Sequence, residues 1–297
     1  MTTTPKILCV GSVLWDIIGR SSSHLRVGSD VPGRITRIPG GVAMNIAMTL
    51  RRFGLTPALL TAIGQDDEGR ELLTACMRMG MITDHVYASI DLPTDRYMAV
   101  EGANGLIAAI ADAHSLEAAG DKILTPLSDG SLGSVENPYA GIIALDGNLT
   151  QALLSDIAKS PLFKSADLRI APASPGKAER LLPVLGHQGA TLYVNLEEAS
   201  LLCHKEFKNS EEAANGLISN GAHRVLVTDG GNMATEGCAD GLYSATPPPV
   251  LVTRVTGAGD TFMAAHIAAE TRNESRAQAL NSALKAAADY VSGDTNL

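Results

Sequence analysis

Short apolar runs alternate along this chain with stretches whose apolar residues recur at helical spacing, and this alternation predicts a fold class. Residues 6–13 (KILCVGSV) form an apolar run ending in Gly-Ser and read as a buried strand of a parallel sheet. Residues 43–53 (AMNIAMTLRRF) follow a Gly-Gly pair and have helical spacing, with Gly54 as the C-terminal stop. Residues 57–63 (PALLTAI) read as the next strand, and 67–80 as a helix with Asp66 as its cap and Gly80 as its stop. The rhythm resumes with a strand at 140–147 (AGIIALDG) and a helix from about 150. Residues 167–173, 191–196 and 223–231 are further strands, and 257–270 and 274–291 are Ala-rich helices. Strands alternating with helices predict an α/β fold with a doubly wound, mostly parallel sheet flanked by helices.

Two stretches interrupt the rhythm. Residues 14–40 mix polar and β-branched residues around a Pro32-Gly33 turn signal, and residues 94–111 read as two strands joined around Gly102 to Gly105, a hairpin signature. Together they predict a small β lid, 14–40 and 94–111, inserted into a core made of 1–13, 41–93 and 112–297. No repeat or low-complexity segment is visible, and TPPP (246–249) is a stiff connector within the core.

Composition narrows the partners. With 297 residues, 45% of them hydrophobic, the chain can bury one large core and carry a small lobe beside it. The net charge of -9 and pI of about 5.2 repel a phosphate backbone and argue against nucleic acid as a partner. Anionic ligands must then be met by local dipoles and a few placed cations. Cys9, Cys76, Cys203 and Cys238 are widely separated and indicate neither a zinc site nor a disulfide framework. The first residues lack the pattern of a signal peptide and no apolar run is long enough to span a bilayer, so no membrane partner and a cytoplasmic location are expected.

The strongest chemical signal is Thr256-Gly257-Ala258-Gly259-Asp260-Thr261, running straight into the helical stretch FMAAHIAAE. Glycines let a ligand approach the backbone, and a helix N-terminus offers unpaired N–H groups and a positive dipole end that suit phosphate. Asp260 is placed to take a proton from an attacking hydroxyl while the Gly257–Gly259 amides hold the transferred group. A plain helix cap and turn explain the same residues. The second signal, Gly40-Gly41-Val42-Ala43-Met44-Asn45, can set the Asn45 amide against a polar ligand, although a glycine-rich loop with a surface Asn45 reads equally from it. No G-x-x-x-x-G-K-[ST] occurs, and the GAG at 257 lacks the third glycine of a dinucleotide fingerprint. The seven histidines show no ligand spacing.

The two glycine patches, in this order and far apart, resemble the two signature regions of the PfkB, or ribokinase-like, carbohydrate and nucleoside kinases. The resemblance runs over nearly the whole chain and includes AIGQDDEGRELL (62–73), NLEEA (195–199) and VTDGG (227–231). It implies an ATP-dependent kinase with Mg2+ and a small-molecule nucleoside or sugar as partner. By position it implies Asp16 on the substrate hydroxyls and Gly40, Gly41 and Asn45 lining the sugar site. Asn195 and Glu198 would order Mg2+ through water, with Asn195 also near the phosphates, and Thr228 and Gly230 would contact the nucleotide. Gly257, Ala258 and Gly259 would form the anion hole and Asp260 the base. Asn281, in the last Ala-rich helix, is either beside the adenine or plain surface. Relatives also form dimers through the lid, which makes a homodimer an expectation here.

One position departs from the pattern. Members commonly carry an Asp three residues before the first glycine of the anion hole, where it helps hold a monovalent cation; here that residue is Arg254, which puts the cation in question. Within the family the chain is most similar to the pseudouridine kinases, through VPGRITRIPGGVAMNIA (31–47), LIAAIADA (106–113), ALDGNLT (144–150) and VTGAGD (255–260). That similarity makes Asp112 and Asn148 candidates for contacts to the base or ribose. The residues alone imply only a polyol or nucleoside with a primary hydroxyl. Another kinase of the family, acting on ribose, adenosine, fructose or a sugar acid, and a non-catalytic sugar- or nucleotide-binding module are the alternatives.

Overall fold

The structure is a computed structural model, and it describes residues 5–293 except Val27 and Ser29. The ends of the predicted core, 1–4 and 294–297, and residues 27 and 29 of the predicted lid lie outside the described residues. In chain order the first elements are β1 (Ile7–Val10), β2 (Leu14–Arg20), β3 (Arg34–Gly40), α1 (Val42–Arg52), β4 (Ala58–Leu60), β5 (Ala62–Gly64) and α2 (Asp67–Arg78). Next come β6 (Tyr87–Ser89), β7 (Arg96–Gly102), β8 (Gly105–Asp112), α3 (His114–Ala119), β9 (Ile142–Asp146), α4 (Gln151–Lys159) and β10 (Asp167–Ala171). The rest are β11 (Ala190–Asn195), α5 (Leu196–Cys203), α6 (Ser210–Ser219), β12 (Arg224–Thr228), β13 (Ala234–Cys238), β14 (Gly241–Ala245), α7 (Ala258–Thr271) and α8 (Arg276–Ser292).

The main sheet has the order β14-β13-β12-β11-β10-β9-β1-β4, parallel from β12 to β4 and antiparallel at β13 and β14. Its central strands are apolar on both faces. In β1, Leu8 and Val10 join the core that packs on α3–α6, while Ile7 and Cys9 join the core that packs on α1, α2, α7 and α8. The chain runs outward from β1 to β4 and later returns to β9 on the other side of β1, so the order reverses at β1. In such sheets ligands bind beyond the carboxyl ends of the strands at the reversal.

A second sheet, β3-β2-β7-β8, stands apart from the first. β2, β3 and β7 lie within the two stretches that interrupt the α/β rhythm and β8 runs one residue past them to Asp112, with the hairpin turn between Gly102 and Gly105. Asp66 ties the base of this sheet to the core: it caps α2 by accepting the Gly69 N–H at 2.7 Å, and it also accepts the Thr94 N–H at 2.8 Å. Trp15 adds a bond from its indole N–H to the Glu68 carbonyl at 3.0 Å.

Two expectations change. The single strand read at 57–63 is two, because the chain leaves β1 after Leu60 and the Thr61 carbonyl accepts the Tyr87 N–H, starting the small β5–β6 sheet. The antiparallel pair β13–β14 was not read from the pattern, since ATEGC and GLYSA carry no apolar run; pairing with β12 makes them strands.

Helix α7 is buried along nine consecutive residues, Thr261–Ala269. Beyond that stretch Glu270 pairs with Arg169 and Arg224, and Arg224 and Arg276 pair with the fully buried Glu236. His266 bonds Tyr193 Oη at 2.9 Å, and burial pushes its imidazole down to about 3, so it is neutral. This polar belt anchors the C-terminal half of α7 and thereby fixes where its N-terminus points.

Candidate active site

The floor of the site is built around Asp146, a fully buried carboxylate at the end of β9. One oxygen accepts the Ser12 N–H at 2.7 Å and the Ala43 N–H at 3.1 Å, and the other accepts the Asn148 N–H at 2.7 Å. Three backbone donors offset part of the cost of burying this group, though burial still raises its affinity for a proton. The carboxylate thus bridges the crevice between β1 and β9 and receives the N-terminus of α1, whose unpaired N–H groups favour a negative partner. Gly41, the N-cap of α1, has φ 96°, and an added Cβ would lie 2.4 Å from the Ser12 carbonyl oxygen. Only glycine fits there. An added Cβ on Gly40 would lie 2.0 Å from an Asp16 oxygen, so Gly40 is the surface on which the Asp16 carboxylate rests. Burial pushes Asp16 up to about 6.

From the first turn of α1, the Asn45 Nδ2 donates to Asp260 Oδ2 at 2.8 Å. Asp260 stands in the first turn of α7, after Gly257, whose φ of 87° is left-handed. Burial, opposed by the Asn45 bond and reinforced by the charges of Asp146, Glu198 and Asp16, pushes Asp260 up to about 7. The residue as a whole is nonetheless only partly buried. The amides of Gly257, Gly259 and Asp260 meet no protein acceptor among the described residues. Ala258 differs from the sequence expectation: its N–H donates to the Val255 carbonyl at 3.0 Å and is engaged in the turn. The free donors are therefore those of its neighbours.

Further along the carboxyl ends of the strands, Asn195 closes β11 and caps α5. Its Oδ1 accepts the Glu198 N–H at 2.8 Å, and Glu198 Oε2 accepts the Asn195 N–H at 2.9 Å. This is a reciprocal capping box, which the sequence analysis did not anticipate. Among the described residues it leaves one Glu198 oxygen and the Asn195 amide nitrogen without a bonded partner. Burial pushes Glu198 up to about 7 despite the bond from Asn195. Thr228 lies directly opposite Asn195 across the β11–β12 pair, and Gly230 follows with φ 54°.

The structure therefore brings Asp16, Gly40, Gly41, Asn45, Gly257, Gly259, Asp260, Asn195, Glu198, Thr228 and Gly230 to one edge of the sheet. Asp112 does not join them. Residues in register share a face, and Asp112 is in register with Arg96 and hence Trp15, whereas Asp16 is in register with Tyr97 and Ala111. Asp112 is exposed on the opposite face of this four-stranded sheet. Asn148 does reach the floor, donating to Ser12 Oγ at 2.9 Å and accepting from Lys177 Nζ at 2.6 Å. Asn281 is exposed and donates to the Ala277 carbonyl of its own helix.

Sequence reasoning missed Asp146, Ser12 and Lys177. Asp146 had a signal, a carboxylate closing the apolar run IIAL; Lys177, in an irregular Pro-Gly segment, had none. Two surface cavities of about 560 and 600 Å3 lie elsewhere, at the amino ends of β10–β12 and beside α5, and neither is lined by Asp16, Asn45 or Asp260.

Comparison with known proteins agrees with this fold. Residues 4–293 match the model of the pfkB family carbohydrate kinases. The pseudouridine kinase of Escherichia coli (strain K12) is 27% identical over 275 residues, covering 87% of this chain and 81% of that protein. The guanosine-inosine kinase of Exiguobacterium acetylicum is 28% identical over 309 residues, covering 98% and 96%. The crystal structure of ribokinase from Thermotoga maritima superposes with a TM-score of 0.77 at 21% identity, over 96% of this chain and 92% of that one. With the doubly wound sheet, the glycine-led helix and the match along almost all of its length, the chain belongs to the pfkB family of carbohydrate kinases and is a phosphotransferase with an alcohol group as acceptor.

Proposed function

We propose that this chain transfers the γ-phosphoryl group of ATP to the 5′-hydroxyl of pseudouridine, giving ADP and pseudouridine 5′-phosphate. The observation that carries the reading is Asp260, held by Asn45 beside the unengaged amides of Gly257 and Gly259. The 5′-oxygen attacks the γ-phosphorus as its proton passes to Asp260. The new O–P bond forms while the bond to the bridging oxygen of the β-phosphate breaks, and ADP leaves with that electron pair. A carboxyl near 7 is matched to proton transfer at neutral pH. The Gly257 and Gly259 amides, with that of Asp260, receive the charge on the phosphoryl oxygens.

Asn195 and Glu198 suit Mg2+ held largely through water. Each has a polar atom committed to the capping box, so few protein ligands remain, as this strongly hydrated ion prefers. When bound it neutralises charge on the phosphates. Thr228 and Gly230 face the nucleotide, and Asp16, backed by Gly40, holds the ribose diol beside Gly41.

The identity of the base rests on similarity to the pseudouridine kinase of Escherichia coli. Pseudouridine carries a ring N–H that uridine lacks, and the Asn148 carbonyl, which already accepts from Lys177, has a second lone pair to receive it. A coupled ADP-release assay over pseudouridine, uridine, ribose, adenosine and fructose tests this, with pseudouridine expected to give the highest kcat/KM. The guanosine-inosine kinase, which matches a larger share of both chains, favours a second reading as another nucleoside kinase of the family, and inosine and guanosine belong in the panel. If no acceptor in a broad panel supports ADP formation, the binding-module alternative stands.

The proposal also places the protein in the cytoplasm; no helix among the described residues is long and apolar enough to cross a membrane. It extends to a homodimer through the lid, because edge strand β8 exposes Leu106 and Ile110 by 59% and 61%. Light scattering on wild type and Ile110→Lys checks that surface, with loss of the dimer expected in the variant.

A further inference from the structure

We infer that Arg254 is a built-in cation that holds the anion-binding loop in shape, so that this loop needs no monovalent metal ion. The inference rests on the kinase reading above. The loop from Thr253 to Gly257 has little apolar packing of its own: Val255 is 70% exposed and Thr256 is exposed. Its shape comes instead from the last turns of α8. The Thr253 and Arg254 N–H groups donate to the Val291 carbonyl at 2.8 and 3.2 Å. Arg254 Nε donates to the Tyr290 carbonyl at 2.8 Å, and its guanidinium carbon lies 3.8 Å from the centre of the Tyr290 ring, a cation–π contact.

Tyr290 passes this tether to the anion site. Its hydroxyl donates to the Thr256 carbonyl at 2.8 Å. The same hydroxyl lies 2.6 Å from where a Cβ on Gly257 would fall, so it backs the glycine whose left-handed φ starts α7. Arg254 is thus one side chain removed from the amides that receive phosphate, and it is a positioning residue.

The carbonyl oxygens of the loop are drawn into this tether: those of Val255, Thr256, Tyr290 and Val291 accept from Ala258, Tyr290, Arg254 and Thr253, and a monovalent cation would have to share them beside the fixed positive charge of Arg254. The residue that relatives use as an acidic ligand is here a guanidinium, which cannot bind a cation and supplies the positive charge itself. Arginine suits the task because its planar fork stacks and donates at once.

The test compares wild type with Arg254→Ala, Arg254→Lys and Tyr290→Phe. Wild-type turnover with the best nucleoside acceptor is expected to change less than about twofold when choline replaces K+ at constant ionic strength. Arg254→Ala is expected to lose about tenfold or more in kcat, keep its nucleoside KM, and regain activity with added guanidinium or methylguanidinium. Arg254→Lys, which keeps charge without the stacked fork, falls between. Tyr290→Phe keeps the ring but not the Thr256 bond and is expected to lose kcat without guanidinium rescue. Calorimetry of ADP binding reads the same loop without turnover, and weaker binding by Arg254→Ala is expected. A large K+-specific activation of wild type overturns the inference, as does wild-type kcat and ADP affinity in Arg254→Ala. If wild type forms no ADP with any acceptor, the kinase reading fails, and the ADP affinities still decide the role of Arg254.

Discussion

Replacing Asp260 by Asn removes the proposed base while keeping its shape, and the structure predicts opposite consequences for rate and stability. Asn45 can still bond the new amide after a flip, so the α1–α7 junction stays intact. Without a proton acceptor the expected loss in kcat is about 10²–10⁴-fold. Stability moves the other way. In the fold the carboxyl is raised from 3.8 to about 7, so its stabilising contribution is complete only below 3.8 and is lost as pH rises to about 7. Full conversion of that difference corresponds to roughly 4 kcal/mol, and the residue's only partial burial reduces it to about 1–2 kcal/mol. Asp260→Asn is therefore expected to melt a few degrees higher than wild type at pH 8, with the difference fading toward pH 4. Stopped coupled assays and calorimetric melts across pH 4–8 measure both. Wild-type kcat/KM should fall below about pH 7 as Asp260 is protonated. A variant with kcat within tenfold of wild type, or one that melts lower at pH 8, refutes the reasoning.

Gly257→Ala forces a side chain into a left-handed φ of 87° and against the Tyr290 hydroxyl, so a loss of about 1–3 kcal/mol in stability and a large loss in kcat are expected from melting and turnover measurements. Gly40→Ala drives a Cβ into Asp16, 2.0 Å away before relaxation; a higher KM for the nucleoside with little change in ATP KM is the expected kinetic signature. Glu270→Gln removes one of two carboxylate partners from each of Arg169 and Arg224, which keep Asp167 and Glu236, and denaturant melts should show a cost of about 1–3 kcal/mol. Because Arg169 and Arg224 hold Glu270 down to about 2, that contribution persists at pH 5 and disappears only in strong acid.

Much of the fold was legible because its signals are local. The strands from Ile7, Ile142, Asp167, Ala190 and Arg224 are short apolar runs, since both faces of a central parallel strand are covered. The helices at Val42 and Asp67 carry their own stops at Gly54 and Gly80, and Asp66 caps the second within three residues of its donor. The glycine-led start of α7 and the Asn195–Glu198 pair are equally local, so the chain alone pointed to them.

What the chain alone determined, then, is the order of strands and helices and the residues able to do phosphoryl chemistry. Tertiary structure decided which of them meet. Asn45 and Asp260, 215 positions apart, touch only because α1 and α7 pack on the same face of the sheet. Asp146 became the centre of the floor only when the crevice between β1 and β9 closed around it. Asp112 and Asp16 looked alike as lid carboxylates, but strand register sends them to opposite faces, and a period of two leaves no middle position. The raised affinity of Asp16, Glu198 and Asp260 for protons is likewise a property of the assembly, because burial and neighbouring charges act through space and not along the chain.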